Sequence, residues 1–240
     1  MAGIGLARVH AADDGQLRIL VLGSTRAYQS DPNLVENAEE AFPPLPVASN
    51  LEQILIHDTN ITQTILVQAQ DIVQTNADLS SLTLMSWFYW PDNRANNTNL
   101  LHQAWDYAVL IDDPHVASTF PEYHLEGVKQ ISEEVRKDGC QPLLVMTWSS
   151  SNTDLSTFGE MAYRVGAGTG VPVMPAGYAW TNVSPALHDA GQRPTPRGAY
   201  VTAATIYSHL FNRSAKVSSY VPDGSAPLIL KSHINRMAIT

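Results

Sequence analysis

The 240-residue chain is 44% hydrophobic and 15% charged, with no low-complexity stretch, which suits one well-buried domain rather than two small ones. Its formal net charge of -9, with no Lys/Arg run to offset it, argues against a nucleic-acid partner. A lone cysteine, Cys140, excludes an intramolecular disulfide framework, and no apolar run reaches the roughly 20 residues of a transmembrane helix.

Residues 1–16 read as an N-terminal arm or a shortened export signal. Met1 to Ala12 holds small residues and a Val9-His10-Ala11 step like the end of a signal peptide. Its apolar part is short and has no basic start. Export to the periplasm or beyond the cell is the favoured expectation. Residues 17–240 are expected to form a single domain.

Leu17–Gly23 is a hydrophobic run read as a buried strand ending on glycine. Asp31-Pro32 opens a predicted helix through Ala41, which Pro43-Pro44-Leu45-Pro46 stops. Glu52–Ile56 reads as a short extended run. The stretch 61–76 reads as a helix, because Ile61, Ile65, Ala69, Ile72 and Val73 fall on one helical face. Leu82–Trp90 is expected to start as a strand and run into Trp87-Phe88-Tyr89-Trp90, with a polar loop at Asn93–Asn99. Asp106–Ile111 is a predicted core strand, and Pro121–Lys137 a predicted helix ended by Asp138-Gly139. Cys140 follows as a small residue in a helix-to-strand turn. Pro142–Trp148 is the next predicted strand. A predicted helix near Leu155–Val165 leads through the Gly-rich turn Gly166–Gly170 to the predicted strand Val171–Pro175. Thr195-Pro196 opens a predicted helix with Tyr200, Ala203, Ala204, Tyr207, Leu210 and Phe211 inward. A short amphipathic helix is expected from Ala226.

Five parallel strands with helical crossovers define an α/β fold: a flavodoxin-like, doubly wound sheet in three layers, α/β/α. Such sheets bind ligands outside the carboxyl ends of their strands. That directs attention to residues 23–30, 86–99, 112–119, 147–153 and 177–193.

In those loops the chain resembles the SGNH (GDSL-type) hydrolases. Ile19-Leu-Val-Leu-Gly-Ser-Thr-Arg-Ala-Tyr28 resembles the first block of that family, where a strand ends in Gly-Asp-Ser or Gly-Asn-Ser and the serine is the nucleophile. Trp105-Asp-Tyr-Ala-Val-Leu-Ile111 resembles the strand before the block that supplies an oxyanion asparagine. Val171-Pro-Val-Met-Pro-Ala-Gly-Tyr-Ala-Trp180 is similar to a segment of one bacterial branch. Gly191-Gln-Arg-Pro-Thr-Pro-Arg-Gly-Ala-Tyr-Val-Thr-Ala-Ala204 is similar to the last block, usually Asp-Gly-x-His-Pro. The tail Tyr220-Val-Pro-Asp-Gly224 fits the same branch.

The resemblance implies an ester hydrolase, but the residues at its chemical positions differ. Ser24 stands where the family has Asp or Asn, and Thr25 stands at the nucleophile. Arg193 stands where the histidine base belongs. Ala190 falls at the triad aspartate unless a one-residue insertion returns that role to Asp189. Asp112-Asp113-Pro114 replaces the pattern that supplies an oxyanion amide. Acyl transfer in this family needs a hydroxyl activated by a neutral imidazole. Arginine stays protonated near neutral pH and cannot serve as that base. A rescue would use Ser24 as nucleophile, His188 as base and Asp112 or Asp189 as its orienting partner.

Trp87, Trp90 and Trp180, with Asp112, are candidate binding residues, the rings forming an aromatic platform for a sugar or a protein; packing in the core is the alternative for at least two of the rings. His57-Asp58, His102, His115 and His124 lack metal-ligand spacing, and together with Asp112-Asp113 they read as a solvated loop set rather than a cation site. No cofactor or metal is called for. The favoured expectation is a non-catalytic, exported accessory or binding subunit with a protein partner, a pseudoenzyme kept for its surface. A divergent serine esterase acting on carbohydrate or acyl esters through Ser24 or Thr25, and a lectin-like carbohydrate-binding module, are the alternatives.

Overall fold

The structure, a computed structural model, describes residues 14–23, 46–72, 83–91, 93–112, 117, 119–148, 155–180, 187 and 196–220. Within these, five strands alternate with helices along the chain: β1 (Gln16–Gly23), α1 (Pro46–Ile56), β2 (Thr64–Asp71), α2 (Leu84–Tyr89), α3 (Arg94–Leu101), β3 (Tyr107–Ile111), α4 (Pro121–Arg136), β4 (Gln141–Val145), α5 (Leu155–Thr169), β5 (Val173–Met174), α6 (Ala176–Trp180) and α7 (Pro196–Phe211). The strands form one sheet in the order β2-β1-β3-β4-β5, and every pairing is parallel. This is the three-layer α/β architecture expected from the alternation of elements.

The inner strands β1, β3 and β4 bury both faces, so their sequences are hydrophobic runs rather than alternating patterns, whereas the edge strand β2 leaves Leu66 exposed. Ile19 and Val21 of β1 face one layer with Val109, Ile111, Leu143 and Val145, covered by α1 and α7. Leu20 and Leu22 face the other layer with Ala108, Leu110 and Leu144, covered by α2, α3 and α4 through residues such as Leu84, Leu101, Val128 and Ile131. On α7, Tyr200, Ala203, Ala204, Tyr207 and Leu210 are all buried, as the inward face expected for that helix requires. Among the described residues no helix is long and apolar enough to cross a membrane.

Several expected elements differ. The polar loop expected at Asn93–Asn99 is the helix α3, Arg94–Leu101, with Leu100 and Leu101 buried at its end. The segment 61–76 supplies β2 rather than a helix. Ile65, Val67 and Ala69, two residues apart, pack on the α1/α7 layer, and pairing along the whole of β1 fixes that register. Ile65 and Ala69 also satisfy a helical spacing, which is why periodicity alone misassigns them. Glu52–Ile56 belongs to α1 instead of an extended run, with Leu51, Ile54 and Leu55 buried. Leu84–Tyr89 is α2, not the start of a strand. Its aromatic residues favour strands in general, but Thr83 caps the helix: its side chain accepts from the Ser86 N–H, and Ser86 Oγ accepts from the Thr83 N–H. This reciprocal cap outweighs propensity.

The glycine run 166–170 also differs, since all but Gly170 lie within α5. A Cβ on Gly166 would sit 2.8 Å from the Val171 carbonyl oxygen, so the glycine lets the helix end pack tightly on the strand that follows. The helices expected at Asp31–Ala41 and from Ala226, and the arm at 1–13, lie outside the described residues.

Candidate functional site

The central strand β3 ends at Ile111, paired in register with Gly23 at the end of β1. The next residue, Asp112, continues the alternation of β3 and turns to the same side as Leu110, toward α2 and α4. Its carboxylate is fully buried. Oδ1 accepts the Leu84 N–H at 3.1 Å, one of the first-turn donors of α2 that the helix itself leaves unpaired. Oδ2 lies 2.8 Å from Nδ1 of His124.

His124 stands in the first turns of α4, which Pro121 opens and in which the His124 N–H bonds back to the Phe120 carbonyl at 3.2 Å. The imidazole is 4% exposed. A carboxylate accepts, so in the neutral ring Nδ1 carries the hydrogen and Nε2 the lone pair. The structure gives Nε2 no hydrogen-bond partner among the described residues.

Close approach of two helices makes this pairing possible. A Cβ on Gly127 would meet the Met85 nitrogen at 2.5 Å and Leu84 Cβ at 2.9 Å. Only glycine allows α4 to lie this close to α2, and it is this closeness that brings His124, Asp112 and the Leu84 amide together.

The aromatic residues divide between core and surface. Trp87 and Phe88 are buried in the α2/α4 layer. Trp180 is buried too, stacked on Trp148 with centroids 4.3 Å apart and planes at 5°; its indole N–H donates to Thr202 Oγ1. Trp90 is half-buried. The exposed rings near the carboxyl edge are Phe120 and Tyr123, stacked at 5.7 Å, and Tyr89. The Tyr89 hydroxyl donates to Glu126 at 2.8 Å, and this bond holds its pKa above the ordinary phenol value.

Of the residues singled out from sequence, Ser24, Thr25, His188, Asp189 and Arg193 lie outside the described residues, as do Asp113 and His115. Asp112 is buried, and the structure joins it to His124, not to a solvated loop. The other described histidines lie elsewhere. His57 Nδ1 bonds the Gln53 carbonyl, and His102 pairs with Asp138 and Glu134 on the surface. Among the described residues no three His, Cys, Asp or Glu converge in a way that could hold a metal ion. The His124 partnership had a faint signal in the sequence: a histidine just inside a Pro-initiated helix, which follows an aspartate at a strand's carboxyl end.

No family model matches the sequence, and no curated protein matches it. Solved structures do. A protein assigned as an SGNH hydrolase from Slackia heliotrinireducens superposes with a TM-score of 0.57 at 18% identity, over 81% of this chain and 99% of that one. A DUF4886 family protein from Bacteroides uniformis gives 0.61 at 15% identity, over 93% of each chain. A catalytic mutant of an acetylxylan esterase from Geobacillus stearothermophilus gives 0.54 at 12% identity, over 81% of this chain and 94% of that one. The fold is that of SGNH hydrolase-like structures.

Proposed function

We propose that this protein is an ester hydrolase of SGNH-like fold, with Ser24 or Thr25 as its nucleophile. The observation that carries this reading is the buried Asp112–His124 pair at the carboxyl edge of β3. Hydroxyl nucleophiles are activated by an imidazole that an acidic residue holds in one tautomer. A pair of that kind, at the edge where doubly wound sheets bind ligands, supports acyl chemistry despite Arg193 in the position of the resembled family's histidine. The esterase among the structural neighbours fits the same reading. The test is turnover of p-nitrophenyl acetate by the purified protein. Activity above buffer that disappears in the Ser24→Ala/Thr25→Ala double variant supports the reading; no turnover refutes it.

The second reading is a non-catalytic, exported accessory or binding subunit. Arg193 favours it, because a permanently charged guanidinium cannot take a hydroxyl proton, and so does the near-complete burial of His124. Stoichiometric co-purification with a partner from the native source, without ester turnover, would favour this reading over the first.

A further inference from the structure

We infer that two copies of this chain pair through the outer edge of β2, antiparallel and about a dyad at Val67, so that their sheets run together as one. This surface shares no residue with the candidate site, and the pairing holds or fails independently of the ester-hydrolase reading.

β2 is an outer strand, bonded to β1 alone among the described strands. The direction of its backbone groups follows from its two ends. The Thr64 N–H donates to the Gly15 carbonyl at 2.9 Å, and the Ile72 N–H to the Gly23 carbonyl at 3.0 Å. Successive residues of a strand turn their backbone groups to opposite sides. The even-numbered residues therefore bond β1, while Ile65, Val67 and Ala69 turn N–H and C=O outward. On that side none of the three has a hydrogen-bond partner among the described residues. Water reaches this edge: Thr64 to Gln70 all retain exposure, and Leu66 is 44% exposed.

An open edge is a template for another strand, and proteins that keep one unpaired blunt it with Lys, Pro or a bulge. β2 has none of these. Its pairing with β1 is one-to-one from Thr64 to Asp71, and Ile61 to Gln70 contains no charged residue and no proline. In a chain of net charge -9, this neutral stretch can lie against its own copy without like charges meeting across the ladder.

Symmetry selects the second copy and the register. Only an outward-turned residue can form a hydrogen-bonded pair at the dyad. Centring on Val67 sets Val67 against Val67 and Ile65 against Ala69, and each pair exchanges both of its bonds. All the outward groups of Ile65, Val67 and Ala69 are then satisfied. Centring on Ile65 would set Val67 against Gln63, and centring on Ala69 would set Ile65 against Val73, both beyond the strand. Ile65, Val67 and Ala69 pack on the α1/α7 layer, so Leu66 lies on the opposite face. There the Val67 register places Leu66 diagonal to its copy and covers apolar surface that the single chain leaves in water. The product is a closed, isologous dimer.

Sedimentation velocity on the full chain, from about 1 to 100 μM, tests the pairing. The wild type should pass from monomer to dimer across this range. Val67→Pro removes one outward N–H per copy and no bond to β1. Leu66→Lys sets like charges on the diagonal. Each should raise the dimer Kd at least about tenfold, while melts at the lowest concentration stay close to the wild type's. Should Val67→Pro fail to fold, Leu66→Lys decides, since its side chain is already exposed. Amide exchange reports the register: the N–H groups of Ile65, Val67 and Ala69 should exchange more slowly at high concentration than at low. A wild type that stays monomeric throughout overturns the inference. So does a dimer whose Kd the folded variants leave unchanged, or whose outward β2 amides exchange alike at both concentrations.

Discussion

The Tyr207 hydroxyl donates to Oδ2 of Asp58 at 2.5 Å, tying α7 to the turn after α1 across 149 residues of chain. The same oxygen lies 3.0 Å from an Arg213 guanidinium nitrogen, and Asn60 donates twice to the other oxygen. Burial alone would push the Asp58 carboxyl up. The hydrogen bonds from Tyr207 and Asn60, with the charge of Arg213, more than offset it, and its pKa lies below the ordinary value. A carboxyl depressed in the folded state contributes stability that is fully present above its unfolded value, about 3.9, and is lost as pH falls through the folded value. Asp58→Asn should cost about 1.5–3 kcal/mol near neutral pH and flatten the acid side of the stability profile. Urea melts from pH 7 down to pH 2 check both effects.

Gly127→Ala probes the close contact between α2 and α4. The added methyl would press on the Met85 nitrogen at 2.5 Å, a backbone atom that no rotamer change can move. Overpacking of this kind costs about 1–3 kcal/mol. Because His124 rides on the same helix, ester turnover should fall by more than the melting shift alone explains, and kcat measured well below the melting temperature separates the two effects.

Trp180 is a core residue, so its removal should register as stability. Stacked on Trp148 and bonded to Thr202, it should cost about 3–5 kcal/mol on replacement by Ala, lowering the melting temperature by about 10 °C. Trp90, half-buried at the surface, should move the melt by far less when replaced. Glycan affinity lost in Trp90→Ala without a melting shift would speak for the lectin-like alternative.

Cys140 is buried, and burial pushes its thiol up to about 12. The thiolate is the reactive form. Ellman's reagent should therefore leave the native protein unlabelled for hours at pH 8 and titrate one thiol in 6 M guanidinium. Prompt reaction in the native state would contradict the burial.

Much of this fold is legible in the residues. The runs Leu17–Gly23, Asp106–Ile111 and Pro142–Trp148 declare three adjacent core strands, because a strand covered on both faces must be apolar throughout. The Pro121 start and the Asp138-Gly139 stop bound α4 to within a residue or two. Local signals failed where two periods fit at once, as at Ile65 and Ala69, or where a short cap overrode strand-favouring aromatics, as at Thr83 and Ser86. The Asp112–His124 pair was hidden for another reason. Its members are 12 residues apart on a strand end and a helix, a separation no motif specifies, and only the glycine-enabled contact at Gly127 brings them together. Counting histidines by spacing placed His124 with loop residues; packing decides otherwise.

The central claim is that the carboxylate–imidazole pair at the end of β3 drives ester hydrolysis, and one comparison tests it most directly. Initial rates on p-nitrophenyl acetate are measured at equal concentrations of folded wild type and Asp112→Asn, a change that keeps size and the Leu84 acceptor but removes the charge facing His124. The account predicts turnover in the wild type and at least a hundredfold less in the variant at an unchanged fold. Equal rates in the two proteins, or none in either, would contradict it.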